Sequence, residues 1–346
     1  MVGIPTGERK NAGRAHGARP AGPPRRRTIL GRPTPHLGLV ASSVDRTGSP
    51  RRYDDRWIRG RKALGSAAFV APSVALVVVF FVIPFVLNLP FAFSSWTGYS
   101  EEIGFIGLDN FTLLADRGVL VTSTVVTVVY AVICMLVQNI VSLSLALSLR
   151  DATPATTFFR SIFFVPVLIS PLAGGYIWRA IVSPDGPLNA TIALGAPGFD
   201  FAWLGDPYWA VFWVAFVDAW KWCGVATLVY IAGLNSIPKE LLEAADIDGA
   251  GRWRRFWSIS FPLLAPAFTF NIVTTLIGAL SAYDVVASMT GGGPGDSTTT
   301  LNFAVVQQFG YSFFGVASAL NFFVTILVIV LAVPLVMWLR RREVAS

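Results

Sequence analysis

From Ala63 to Ser100 the chain carries no charged residue at all. A segment this long and this apolar has no place on the surface of a water-soluble domain. About 20 apolar residues are what a helix needs to cross the hydrocarbon core of a bilayer. Span one is placed within this run, at roughly Ala67–Phe93. Five more runs follow: about Val119–Leu149, Ser161–Ile181, Tyr208–Leu234, Leu263–Tyr283 and Phe314–Leu339. Prolines 72, 84, 90, 166 and 171 fall inside or at the ends of spans one and three. Kinks are tolerable there if neighbouring helices or water satisfy the freed carbonyls.

The composition agrees. Charged residues make up 14% and hydrophobic residues 54% of the chain, against about 25% charged in an average soluble domain, and the mean hydropathy is +0.60. The 11 Trp and 26 Phe suit lipid contact and interfacial anchoring. Both cysteines, Cys134 and Cys223, lie in apolar runs, so two buried structural thiols are expected rather than a disulfide framework. Both histidines, His16 and His36, lie near the N-terminus. No metal site is expected, because the apolar part offers no histidine for one.

The net charge of +7 is unevenly placed. Residues 1–62 hold 15 Lys/Arg against 4 Asp/Glu, whereas residues 63–346 hold 12 against 16. The first segment, rich in Arg, Gly, Pro and Ser, is expected to be a disordered basic cytoplasmic tail near anionic lipid. Nucleic-acid binding is not needed to explain it. Arg25-Arg26-Arg27 lacks an apolar run immediately after it, so an export signal is not expected. Arg150 and Arg160 follow span two, Lys239, Arg252, Arg254 and Arg255 follow span four, and Arg340-Arg341-Arg342 close the chain. The alternate loops are acidic: Glu101, Glu102, Asp109 and Asp116, then Asp185, Asp200 and Asp206, then Asp296. The positive-inside bias puts the basic regions in the cytoplasm. The expected fold class is an all-α integral membrane protein, multi-pass, with six transmembrane helices and both termini cytoplasmic.

One polar segment interrupts this pattern. Ser236 and Pro238 read as helix-start signals, a capping hydroxyl and a first-turn proline. Lys239 to Asp248 are mostly helix formers, and Gly249 and Gly251 break the helix. Leu241, Ala244, Ala245 and Asp248 share one face, with small alanines in the middle that let another surface approach. Trp253, Phe256 and Trp257 are placed for the membrane interface, and Pro262 and Pro266 mark re-entry.

Glu243-Ala244-Ala245, then Gly249, Ile259 and Pro262, resembles the EAA loop of the permease subunits of ABC importers. That family usually has Leu where Phe261 stands. Trp220-Lys221-Trp222, Gly233 through Pro238, Asp248-Gly249-Ala250, Thr290 through Pro294 and Gly315 to Ala319 are similar to the carbohydrate-type permeases of the maltose/glycerol-phosphate branch. The similarity covers about residues 63–346. It implies a type I ABC importer permease fold: a six-helix transmembrane permease domain over 63–346 with a cytoplasmic coupling loop at 235–262. Glu243, Ala244, Ala245, Asp248, Gly249, Ile259 and Pro262 would couple to the ATPase. The implied partners are two copies of an ATP-binding cassette subunit, a second homologous permease subunit and an extracytoplasmic solute-binding protein, in the inner (cytoplasmic) membrane. No cofactor is expected in the chain itself, ATP being bound by the partner subunits. Nor is an enzyme expected: no Walker motif occurs, and the glycine-rich GGGPGDST segment lacks the lysine of a phosphate-binding loop. That segment is expected to be a flexible turn that contacts a binding protein or allows gating.

Polar residues inside the spans are candidates for a solute path. Asp218 and Lys221 lie three apart in span four, where charges are costly and face a bundle interior or a cavity; lining of the path and a local ion pair are both open. Asn271, Tyr283, Asp284 and Asn321, with Gln138 and Asn139, could hydrogen-bond a sugar or another helix. Two rival functions are an ion-coupled secondary transporter, which would predict inverted repeats, and a membrane enzyme, which would want an Asp, Glu or His cluster at a membrane face.

Overall fold

The structure is a computed structural model, and it describes residues 70–99 and 102–343. The basic segment 1–62 and Glu101 lie outside the described residues. Among the described residues the chain is helical, with no strand beyond an isolated Ser94–Phe105 bridge. In chain order the helices are α1 Val70–Ala92, α2 Asp109–Asp116, α3 Val119–Ser148, α4 Pro154–Leu168, α5 Pro171–Ile181, α6 Pro187–Ala193 and α7 Pro207–Ser236. They continue with α8 Lys239–Ile247, α9 Arg252–Leu263 and α10 Ala265–Leu280, α11 Asp284–Met289, α12 Leu301–Gly310 and α13 Phe314–Glu343.

Four helices, α1, α3, α7 and α13, are each long and apolar enough to cross a membrane, or up to six spans if each of two bent pairs counts as one. The first bent pair is α4 and α5, which meet at 103°; the second is α9 and α10, at 66°. Within the third predicted span the chain therefore turns a full corner. Its local cause is Pro171, which pushes the preceding Ser170 out of the helical region to ψ 143. Ile169 is extended as well. The new helix then starts afresh, with Pro171 in its first turn and the Ser170 hydroxyl accepting from the Ala173 N–H at 3.3 Å.

Helix α7 is the centre of the bundle: 61% of its apolar window is buried, against none for α1 and 6% for α13. Its N-terminus is fixed by the Asp206 carboxylate, which accepts from the N–H groups of Tyr208 and Trp209 at 3.0 Å each. The most extensive pairing is α3 with α7, and α4 also packs on α7. With lipid as apolar as any side chain, such contacts rely on close backbone approach and polar links. Gly224 supplies the first, because a Cβ there would collide with the Phe163 carbonyl of α4. Gly175 of α5 does the same against Ser288 of α11. Ser142 donates to the Cys223 carbonyl at 2.9 Å. The buried pair Tyr230 and Asn139 joins α7 to α3 through a 2.6 Å bond from the Tyr230 hydroxyl to Asn139 Oδ1. Cys134 and Cys223 are buried and free, as the sequence indicates.

The glycine-rich segment is anchored on its C-terminal side. Thr298, Thr299 and Thr300 are buried. Thr298 Oγ1 donates to the Gly293 carbonyl at 2.8 Å, Thr300 Oγ1 to the Ala282 carbonyl at 2.9 Å, and Thr127 Oγ1 of α3 accepts from the Leu301 N–H at 2.8 Å. The threonines that follow the glycines thus tie the end of the segment to the bundle.

Candidate functional site

Two features stand out. The first is the loop around α8. Its helix ends in a Schellman motif: the Ala250 N–H bonds the Ala245 carbonyl at 2.9 Å and the Gly249 N–H bonds the Asp246 carbonyl at 3.1 Å. Gly249 occupies the left-handed position this motif requires, with φ +74°. Arg255 of α9 forms an ion pair with Asp246 of α8, which ties the two arms of the loop together. Ala245 is buried, while Glu243, Ala244, Ile247 and Asp248 are exposed. Ile247 is 87% exposed and Trp253 78%. Ile259 and Pro262 lie in α9, whose middle, Phe256–Ser260, is a π-helical turn.

The capping role expected of Ser236 is not observed. Helix α7 runs through it, and the Ser236 hydroxyl donates back to the Gly233 carbonyl at 2.7 Å, as serine does within a helix. Pro238 is the N-cap of α8, which has no side-chain cap.

The second feature is a cavity of about 410 Å³ lined by α3, α7, α10, the segment 281–283, the start of α11 and Pro171 of α5. It collects Asp218, Asn271, Tyr283 and Asp284 of the sequence candidates, together with Gln138. Lys221 and Asn321 do not line it, and Asn139 is engaged with Tyr230. Asp218 and Lys221 are not a direct ion pair. Asp218 Oδ2 accepts from the Tyr130 hydroxyl at 3.0 Å, whereas Lys221 Nζ donates to the Val167 carbonyl at 3.2 Å and sits 4.6 Å from the Trp222 ring centroid. Side chains three apart on a helix diverge enough to find separate partners.

Sequence reasoning missed Trp222, Phe270, Thr274 and Thr275 as cavity residues. A signal was present: Asn271, Thr274, Thr275 and Gly278 recur at helical spacing, giving α10 one polar, small-residue stripe. Among the described residues no group of His, Cys, Asp and Glu could hold a metal ion.

Residues 151–343 match the family of binding-protein-dependent transport system inner membrane components. The chain belongs to this family. It is therefore a permease component of a binding-protein-dependent ABC importer and a multi-pass membrane protein. It is 32% identical to the probable starch degradation products transport system permease of Thermoanaerobacterium thermosulfurigenes, over 80% of this chain and 94% of that protein. It is 35% identical to a probable ABC transporter permease of Bacillus subtilis, over 77% and 92%. It is 33% identical to the sn-glycerol-3-phosphate permease of Rhizobium meliloti, over 69% and 82%. Among solved structures, a bacterial ABC transporter involved in import of the acidic polysaccharide alginate contains a chain that superposes with a TM-score of 0.71. That match has 20% identity and covers 83% of this chain and 99% of the other. At that identity the likeness speaks for the fold alone.

Proposed function

We propose that this permease spans the inner membrane six times with both termini cytoplasmic, and that it imports a sugar or sugar-like solute handed over by an extracytoplasmic binding protein. The two bent pairs each count as one crossing in this reading, which agrees with the alternation of basic and acidic loops. Several relatives are named for starch products, lactose, trehalose/maltose or glycerol phosphate, which favours this solute class. A second homologous permease would complete the pathway, and two ATP-binding cassette subunits would bind and hydrolyse ATP.

One observation carries the coupling role: α8 is a short, capped helix, braced by Arg255 to Asp246, that presents an apolar residue, Ile247, almost fully to its surroundings. An exposed isoleucine on a rigid projection suits a cleft in a partner. Nucleotide binding would move loop 235–262, and with it α9 and the α10 wall of the cavity. The bundle would then pass between inward- and outward-open states, a two-state change biased from a remote site. Asp218, Asn271, Tyr283 and Asp284 would line the solute's passage.

Co-purification tests the reading. The wild-type chain should bring an ATPase subunit out of detergent extracts, and Glu243→Lys or Gly249→Asp should lose either that association or its coupling to uptake. ATP-independent uptake by this chain alone would instead support an ion-coupled secondary transporter.

A further inference from the structure

We infer that the cavity selects against anionic solutes and accepts uncharged saccharides, an inference that rests on the cavity being the solute's passage. Its charged lining is Asp218 and Asp284. Asp218 already accepts the Tyr130 hydroxyl. Among the described residues the Asp284 carboxylate has no hydrogen-bond partner, and Asp284 lines the cavity. Among the described residues the Gln138 amide likewise has no partner; Gln138 is only 8% exposed and lines the same space. Its amide is therefore free to pair with whatever fills the cavity, and a ligand hydroxyl would match it.

The remaining lining suits a saccharide. Trp222, Phe270 and Tyr283 bring aromatic rings to the wall, and Asn271, Thr274 and Thr275, whose donors are used within the protein, bring oxygens that can still accept. Carboxylates accept hydrogen bonds from sugar hydroxyls. They repel a phosphate or a uronate, and the repulsion is strong where little water screens it.

Lys221 is the cation closest in sequence to this lining, and it does not reverse the sign. It is 4% exposed and lends no atom to the cavity wall. Its ammonium is held by the Val167 carbonyl and the Trp222 ring. The inference therefore sets this permease apart from relatives named for glycerol phosphate, and from the alginate importer whose fold it shares.

The test is direct binding to the detergent-solubilised complex of this chain with its partner permease and ATPase subunits, the binding protein left out so that only the membrane cavity filters. The probes are radiolabelled maltose and maltotriose, each paired with its counterpart oxidised to a uronic acid at the terminal C6, together with sn-glycerol 3-phosphate. The neutral member of at least one pair should bind roughly tenfold tighter or more than its acidic twin, a difference of about 1.4 kcal/mol. Asp284→Asn should bring that ratio towards one. Equal or tighter binding of an acidic probe or of glycerol phosphate overturns the inference, and so does a ratio unchanged in Asp284→Asn. Binding of no probe overturns it too. ATP-driven uptake, measured on the same complex with its binding protein restored, reports separately on the importer reading.

Discussion

The Lys221 ammonium of α7 bonds the Val167 carbonyl, one residue before the end of α4, at 3.2 Å. The last carbonyls of a helix have no intrahelical partner, and the negative end of the helix dipole lies there. A buried cation from the central helix therefore closes the broken end at which the chain turns through 103°.

Replacing that cation should loosen the corner. Lys221→Met removes the donor and keeps the bulk, leaving a carbonyl unmatched in an apolar setting. The expected loss is about 2 kcal/mol, read as a lower thermal midpoint of the solubilised complex, and Lys221→Arg should recover part of it.

Gly224→Val should be more damaging. A side chain there has to displace the Phe163 backbone of α4, which moves a helix and not just a rotamer. A penalty of about 3 kcal/mol is expected, seen as loss of folded protein in gel filtration. Gly278→Val, where an added Cβ meets nothing within 4 Å, is the control and should stay folded.

Tyr230→Phe tests the polar link between α3 and α7. It deletes the bond to Asn139 Oδ1 while keeping the ring against Phe268, 5.0 Å away between centroids. Interhelical bonds of this kind are worth about 0.6–2 kcal/mol. The variant should lose stability by that amount, and Tyr230→Phe with Asn139→Leu should lose less than the sum of the two single changes.

Gly249→Ala should separate coupling from folding. At φ +74° any side chain costs roughly 1–2 kcal/mol, but Gly249 itself is exposed and an added Cβ meets nothing within 4 Å. The thermal midpoint of the solubilised chain should fall by only a few degrees. Uptake driven by ATP should fall, because the end of α8 is no longer held in its wild-type geometry.

What the sequence made legible follows from where its signals are local. The helix Lys239–Ile247 and its stop at Gly249 were readable because helix propensity and a glycine with positive φ act within a few residues. The long apolar helices were readable because length and the absence of charge suffice. The size of the α4–α5 corner was not, since Pro171 announces a break but its angle depends on Lys221 and on the close approach of Gly175 to Ser288. Ser236 does not cap α8, because a hydroxyl near a helix boundary can cap the next helix or bond back into its own, and the true end of α7 decides. The cavity joins residues from helices more than a hundred positions apart, Gln138 to Asp284. For that reason Asn321, as plausible in sequence as Asn271, lies elsewhere while Asn271 lines the wall and donates to the Ala226 carbonyl at 3.2 Å.

The most direct test of the coupling role is a site-specific cross-link from α8. Both native cysteines are buried, so a cysteine introduced as Ile247→Cys reports with little background. In membranes of cells that make the whole importer, a short thiol cross-linker should join position 247 to the ATP-hydrolysing subunit, and the linked complex should no longer take up solute. ATP-driven uptake in full, with no link to that subunit from position 244 or 247, would contradict the account.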